Sequence, residues 1–154
     1  MEKKNIDWAS LGFGYIKTDK RYVANFTDGK WDDGCLTEDS TITMSECACV
    51  LQYAQTIFEG LKAYRTKDGH VVCFRPDLNA QRMKDSCERL EMPVFPTERF
   101  IDAVKKVVKA NMYFVPPTYL WPISSDNFLE FSNFGLFNAS RIVAIFFFLF
   151  FKKL

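Results

Sequence analysis

Apolar and polar residues change their spacing along the chain, and this change predicts strands followed by helices. Short apolar runs flank Asp28-Gly29 and again Asp68-Gly69. An Asp-Gly pair readily adopts the positive φ of a tight turn, so each pair predicts a β-hairpin. We place the first hairpin within residues 22–31 and the second in strands 58–65 and 70–74. A further turn is expected at Asp33-Gly34.

Two helices are predicted after the second hairpin. Pro76 and Asp77 open the first helix, with Asp77 as a cap whose carboxylate meets the unpaired amides of the first turn, and the helix runs to Arg89 or Leu90. The second helix begins at Thr97, because apolar residues then recur along one helical face. This stripe consists of Phe100, Ile101, Val104, Val107 and Val108. Strands followed by two helices predict an α+β domain.

The composition is that of a globular chain without a strong charge preference. Of 154 residues, 48% are hydrophobic and 25% are charged, and the formal net charge is +1. This balance provides no field that would attract nucleic acid or anionic lipid. The cysteines are five in number, which is odd, and contain no C-x-x-C pair, while the N-terminus carries no apolar signal core. We therefore expect reduced thiols and a cytoplasmic location.

A metal site is not expected. Cys47 and Cys49 would share one face of a strand, but the single histidine, His70, is distant in sequence. A set of four zinc ligands therefore cannot be assembled. His70 follows the turn glycine Gly69 and is expected to be exposed on the second hairpin.

Two ordered motifs give the sequence a family resemblance. Residues 51–64 fit the pattern L-x-Y-x-Q-x-x-F-E-G-L-K-A-Y, and residues 74–83 fit F-R-P-x-x-N-x-x-R-M. Over residues 6–117 the chain resembles branched-chain amino acid aminotransferases, enzymes of fold type IV that use pyridoxal 5'-phosphate. The resemblance implies that residues 1–117 form the N-terminal small domain, built from antiparallel hairpins and two helices. Intact members of the family are homodimers.

The resemblance assigns a cofactor contact to Arg82, which is expected to bind the phosphate of pyridoxal 5'-phosphate. A guanidinium stays charged at all relevant pH values and offers a planar fork of donors that grips two phosphate oxygens. The residues alone allow another interpretation. Arg75, Arg82 and Arg89 are spaced seven residues apart and could simply line a solvated helix face.

The resemblance also assigns three aromatic residues to an apolar substrate pocket. These residues are Phe13, Tyr53 and Phe58. A branched aliphatic side chain is recognised by shape and hydrophobic area, so an aromatic pocket with few polar groups suits it. Without the motifs, the same residues would be interpreted as core aromatics.

Glu59 and Lys62 could be mistaken for a nucleophilic lysine and its carboxylate partner. The family's Schiff-base lysine lies in a later domain, outside the matched residues, so no catalytic residue is assigned to this chain. Gly60, between them, is interpreted as a point where the backbone bends or closely approaches a neighbour.

The resemblance ends after Pro116-Pro117. Residues 118–154 are expected to be a divergent, aromatic tail that arose by truncation or a shifted reading frame. The apolar run 142–151 contains ten residues, whereas a helix needs about twenty to span a bilayer. We therefore expect no membrane span, and we favour an aggregation-prone segment over a shallow membrane anchor.

The resemblance implies transamination between leucine, isoleucine or valine and 2-oxoglutarate, so the substrates are small amino acids and 2-oxo acids. The isolated chain is expected to be inactive because it lacks the lysine. Two alternative functions belong to classes other than enzymes. The chain could be a non-catalytic remnant that retains a dimer-forming surface, or a degenerate domain with a membrane-associated tail.

Overall fold

The computed structural model describes residues 17–115 and the backbone of a strand at residues 146–148. Short antiparallel strand pairs and three helices make a small α+β domain, as predicted. The elements in chain order are β1 (Arg21–Val23), β2 (Phe26–Thr27), β3 (Lys30–Trp31), β4 (Cys35–Thr37), α1 (Cys49–Tyr53), β5 (Ile57–Glu59), β6 (Ala63–Arg65), β7 (Val71–Cys73), α2 (Pro76–Arg89), α3 (Thr97–Ala110), a 3-10 turn (Met112–Phe114) and β8 (Phe146–Phe148).

The first predicted hairpin is confirmed, but it lies inside a second strand pair. β2 pairs with β3 across Asp28-Gly29, which adopt φ values of 51° and 79°. β1 pairs with β4 instead, with Tyr22 opposite Leu36. Between β3 and β4, Gly34 has a φ of 68°, and a Cβ at this position would collide with the Tyr22 hydroxyl. Both the backbone angle and the close approach of Tyr22 therefore require glycine here.

The second hairpin is confirmed only in its outer half. β6 pairs with β7, and the Thr66 amide donates to the His70 carbonyl oxygen over 2.8 Å. The single strand predicted for residues 58–65 is wrong, because the chain leaves strand geometry at Gly60 and divides into β5 and β6. β5 pairs antiparallel with β8 rather than with the hairpin. His70 is exposed, as predicted, with Nε2 3.3 Å from the Asp68 carboxylate.

Helix α1 occupies the region where a strand was predicted to carry Cys47 and Cys49. Cys49 begins the helix and Cys47 precedes it, so the prediction that they share one face of a strand is wrong. The helix ends at Tyr53, and the next residue, Ala54, caps it with a left-handed φ of 50°. All five cysteines are free thiols. Within the part of the chain that the structure describes, no three histidine, cysteine or carboxylate side chains gather as a metal site.

Helix α2 has the predicted extent, but its N-cap residue is not the predicted one. The residue at the N-cap is Arg75, with a φ of 44°, and no side chain caps the helix. The prediction of Asp77 as the cap is therefore wrong. Asp77 lies in the first turn, where its carboxylate accepts hydrogen bonds from Arg75 Nε and Nη2. These hydrogen bonds are the main cause of a pKa below the ordinary value for Asp77.

The core lies between α2, α3 and the connector that joins them. The largest fully buried side chains are Phe95, Phe100, Met83 and Cys87. The predicted stripe of α3 faces this core, with Phe100 and Val104 buried and the rest of the stripe at its margin. Burying such side chains supplies the main favourable free energy of folding.

The side chains of Trp31 and Asn111 help to attach the strand region to the helices. Trp31 packs edge-on against Phe95, with ring centroids 4.9 Å apart, and its indole nitrogen donates to the Val94 carbonyl oxygen. At the end of α3, the buried amide of Asn111 accepts from the Lys20 amide over 3.0 Å and donates to the Lys20 carbonyl oxygen over 2.7 Å. Among the residues with a described conformation, no helix is long and apolar enough to cross a membrane.

Candidate functional site

The end of β5 places a carboxylate inside the domain. Ile57 and Glu59 are buried, and Phe58 between them is exposed. This alternation follows from the strand, in which successive side chains leave opposite faces. The Glu59 side chain is only 9% exposed. A buried carboxylate is costly unless it is paired and hydrogen-bonded, so its partners define this region of the molecule.

Helix α2 supplies both partners. Asn79 and Arg82 are three residues apart and therefore lie on one face of the helix. Asn79 Nδ2 donates to Glu59 Oε2 over 2.8 Å and to the Gly60 carbonyl oxygen over 2.9 Å. Arg82 donates from Nε to Glu59 Oε1 over 3.2 Å and from Nη2 to Oε2 over 2.7 Å. We call these three side chains, Glu59, Asn79 and Arg82, the Glu59 cluster.

The Glu59 cluster joins the two sequence motifs in space. Glu59 belongs to the motif at residues 51–64, whereas Asn79 and Arg82 belong to the motif at residues 74–83. The Gly60 carbonyl oxygen, next to Glu59, is held by the same Asn79 amide. The two motifs are thus parts of one polar structure at the contact of β5 with α2.

Among the residues that the structure describes, the guanidinium of Arg82 has a hydrogen-bond partner on one edge and none on the other. Glu59 occupies the edge formed by Nε and Nη2, while the side chain of Arg82 stays 60% exposed. A guanidinium carries further N–H donors on the edge formed by Nη1 and Nη2. Two parallel donors on that edge match two oxygens of a phosphate or carboxylate. The residues present therefore fit a phosphate group on the outer edge of Arg82.

The charge of the cluster differs from that of an isolated arginine. Glu59 lies within hydrogen-bonding distance of Arg82 and offsets its positive charge locally. An incoming anion would therefore be attracted less by net charge than by correctly placed donors. This makes the orientation of the guanidinium more important than it is at an unpaired arginine.

Arg82 differs from the two arginines with which it is spaced at seven-residue intervals. Arg75 and Arg89 are both exposed, and Arg75 contacts the exposed carboxylate of Asp77. The partner of Arg82 is buried. Because the Arg82 side chain is itself 60% exposed, the interpretation of all three as one solvated helix face stays open, and the role of Arg82 with phosphate stays a prediction.

The predicted aromatic pocket is only partly within the structure. Phe13 lies outside the described residues. Tyr53, the last residue of α1, is 82% exposed, and Phe58 is 59% exposed. The alternative that they are core aromatics is therefore wrong for these two. Phe58 leaves β5 on the face opposite Glu59, so the structure does not gather Phe58 and Arg82 on one face of the strand.

Sequence reasoning missed Glu59 and Asn79 as members of the site. The sequence pattern indicates Glu59 only as a neighbour of Lys62, and Asn79 only as one position of the second motif. Two signals could have identified them. An acidic residue follows Ile57-Phe58 in a predicted strand, and an asparagine and an arginine at i and i+3 can approach one carboxylate from a single helix face.

Comparison with known proteins shows which proteins this sequence resembles. No protein-family model matches the chain, but curated proteins do. An aminotransferase named branched-chain-amino-acid aminotransferase from Haemophilus influenzae is 54% identical over 114 residues, which are 74% of this chain and 33% of that protein. The protein of the same name from Helicobacter pylori is 46% identical, over 74% of this chain and 34% of its own length. A methionine aminotransferase from Arabidopsis thaliana is 40% identical, over 73% of this chain and 32% of its own length.

All three relatives are aminotransferases by name. More particularly, the chain is a homologue of the branched-chain-amino-acid aminotransferases over about three quarters of its length. It spans about a third of the length of these relatives.

Proposed function

We propose that this chain is part of a pyridoxal-phosphate aminotransferase of fold type IV. The reaction would transfer the amino group of leucine, isoleucine or valine to 2-oxoglutarate, giving a branched 2-oxo acid and glutamate. The names of the relatives support the class of reaction. The observation that carries the proposal for this chain is the largely exposed side chain of Arg82, whose guanidinium is held by Glu59 where the two motifs meet.

Arg82 would bind the phosphate of pyridoxal 5'-phosphate through its Nη1 and Nη2 edge. Charge-assisted, bidentate contacts of this kind are among the stronger hydrogen bonds in proteins. When bound, the cofactor would supply the electron sink of the reaction, and the protein would hold and orient it. Arg82 is the contribution of this chain to that binding.

Phe13, Tyr53 and Phe58 would line part of the pocket for the branched side chain. Tyr53 and Phe58 are exposed in the domain, which fits surfaces that a further part of the protein covers. Their apolar rings suit a substrate that offers only shape and hydrophobic area. The three residues would thus form one wall of a pocket that other residues complete.

The 154-residue polypeptide by itself would not catalyse transamination, because none of its residues is assigned as the lysine that binds the cofactor. Incubation of the purified polypeptide with pyridoxal 5'-phosphate, leucine and 2-oxoglutarate should yield no glutamate. A full-length relative under the same conditions is the positive control. Glutamate formation by the polypeptide that depends on one of its own lysines would contradict this part of the proposal.

Binding of a phosphate ester tests the role of Arg82 directly. Pyridoxine 5'-phosphate has no aldehyde and so cannot react with surface lysines, and pyridoxine is the matched ligand without phosphate. Calorimetric titration should show tighter binding of the phosphate ester than of pyridoxine. Arg82→Gln should weaken binding of the phosphate ester about tenfold, because it removes one charge-assisted contact. Arg89→Gln removes the same charge from the same helix and is the control. Equal effects of the two substitutions would contradict the proposal.

A second candidate function is favoured by exposed apolar side chains. Leu51, Tyr53, Phe58 and Phe74 are all largely exposed. We propose that they belong to a surface that pairs with another subunit, since intact members of the family are homodimers. We also propose that the chain acts in the cytoplasm. Exposed apolar patches of this kind often mark protein interfaces. Co-purification with a full-length aminotransferase would support pairing, and a monomer with no retained partner in a sizing column would contradict it.

A further inference from the structure

We propose that Glu59, held by Asn79, is a positioning residue that fixes the guanidinium of Arg82 so that its Nη1 and Nη2 edge is set to receive a phosphate ester. This inference rests on the proposed function of Arg82 and adds a second residue, not assigned by the sequence, to the phosphate site. Glu59 would not touch the phosphate. It would act through Arg82.

The first argument is the number of hydrogen bonds that one buried carboxylate accepts. Glu59 accepts from Asn79 Nδ2, Arg82 Nε and Arg82 Nη2. With Asn79 also bound to the Gly60 carbonyl oxygen, the carboxylate is connected to the backbone beside it. Because both oxygens of Glu59 are engaged, rotation of the carboxylate would break several bonds at once. The orientation of Arg82 is thereby fixed by a group that is itself fixed.

The second argument is the entropy of a long side chain. An arginine on a helix surface samples many rotamers, and a ligand that binds it must immobilise it. Arg82 is already held by two hydrogen bonds from the inner edge of its guanidinium, although the side chain is 60% exposed. The Arg82 side chain therefore loses its conformational entropy when the domain folds. Binding of a phosphate to the outer edge does not require a second loss of this entropy.

The third argument is the sign of the charge. A carboxylate close to a phosphate would by itself repel it, so a purely electrostatic role of Glu59 predicts that its removal strengthens binding. A positioning role predicts weaker phosphate binding for a substitution that keeps the negative charge but cannot hold Arg82. Glu59→Asp is such a substitution, because it retains the carboxylate and shortens the side chain by one methylene. Glu59→Gln separates the charge from the length.

The experiment combines a structural readout with a binding readout. In the polypeptide labelled with 15N, the Arg82 Nε–H signal and the rotation about its Cζ–Nε bond report how firmly the guanidinium is held. Calorimetric titration with pyridoxine 5'-phosphate and with pyridoxine reports the phosphate contact. Asp77→Asn, which removes the carboxylate partner of exposed Arg75 on the same helix, is the matched control. Circular dichroism selects a temperature at which every variant is folded.

We expect slow rotation for Arg82 in the unaltered chain and fast rotation in Glu59→Asp and Asn79→Ala. We expect Glu59→Asp to weaken binding of the phosphate ester about threefold to tenfold, the factor that corresponds to immobilising one rotamer-rich side chain. Binding of pyridoxine should not change, nor should Asp77→Asn alter either readout at Arg82. A purely structural role of Glu59 would affect both ligands equally.

Different results overturn the two proposals separately. If Arg82→Gln weakens binding and Glu59→Asp does not, Arg82 binds phosphate without positioning by Glu59, and the present inference is wrong. The same conclusion follows if Arg82 rotates as fast in the unaltered chain as in Glu59→Asp, or if Glu59→Asp tightens binding. If Arg82→Gln leaves binding unchanged while Arg82 is rigid only with Glu59, the proposed phosphate role fails and the Glu59–Arg82 contact is shown to be structural.

Discussion

Helix α2 carries two arginine–carboxylate pairs whose surroundings differ. At its N-terminus, Arg75 contacts Asp77, and the side chains are 53% and 52% exposed. In its middle, Arg82 contacts Glu59 from another element, and that carboxylate is buried. Both arginines use Nε and Nη2. An arginine–carboxylate pair is thus a local surface contact at the N-terminus of α2, whereas in the middle of α2 it connects the helix to a strand.

The difference shows that burial of the carboxylate, rather than the distance between the charges, separates the two pairs. The shortest donor–acceptor distance is 2.7 Å in each. An exposed pair is screened by water and gains little, because water solvates both charges nearly as well when they are apart. A buried carboxylate that loses its cation retains its desolvation cost. The Arg82–Glu59 pair should therefore influence both stability and binding, whereas the Arg75–Asp77 pair should influence stability only slightly and binding not at all.

The largest effect is expected from Arg82→Met, which retains the apolar stem and removes the charge. Glu59 would remain buried without its cation. We expect a loss of about 2 kcal/mol in the free energy of unfolding, below the roughly 3 to 5 kcal/mol of fully buried pairs because water can replace the exposed guanidinium. Urea denaturation at neutral pH measures it.

Arg75→Met is the control for that experiment. Its partner Asp77 is exposed and stays solvated after the substitution. The denaturation midpoint should therefore stay close to that of the unaltered chain. Equal destabilisation by Arg75→Met and Arg82→Met would remove the distinction between the two pairs.

A smaller effect is expected from Asn79→Ala. The Asn79 amide donates to Glu59 and to the Gly60 carbonyl oxygen in a buried setting. The substitution removes this donor from the Gly60 carbonyl oxygen and one of the hydrogen bonds that Glu59 accepts, which should reduce the free energy of unfolding by about 1 to 2 kcal/mol. Gln81→Ala provides the comparison, since Gln81 makes a similar amide–carboxylate bond to Asp85 on the exposed face of α2. A loss from Gln81→Ala as large as that from Asn79→Ala would show that burial is not the cause.

The smallest effect is expected from Asp77→Asn and appears only as a dependence on pH. The Arg75 hydrogen bonds lower the pKa of Asp77 below its ordinary value of 3.8. A lowered pKa stabilises the fold above the unfolded pKa, and this contribution is lost as the pH falls through the folded pKa. The unaltered chain should thus lose slightly more stability than Asp77→Asn when the pH falls below about 4. A steeper loss in Asp77→Asn, seen in denaturation at stepwise lower pH, would contradict the assignment.

The success of the sequence predictions depended on how local each feature is. The Asp28-Gly29 and Gly69 turns and the bounds of α2 and α3 follow from residues adjacent in sequence, and the structure contains them. The strand predicted for residues 58–65 failed because β5 separates from β6 at Gly60, and its partner, β8, is distant in sequence. The strand face predicted for Cys47 and Cys49 failed because the chain forms α1 there.

The sequence by itself determined the resemblance to branched-chain-amino-acid aminotransferases, through two motifs whose order and spacing do not depend on folding, and it determined local turns and the helices α2 and α3. Only the tertiary structure decided that Glu59, Asn79 and Arg82 form one cluster. A strand residue and a helix residue that are 23 positions apart meet only when β5 packs on α2, and the burial that makes their pairing matter exists only in the folded domain. Burial is a property of the surroundings and not of the residue, because it is set by what the rest of the chain removes from water.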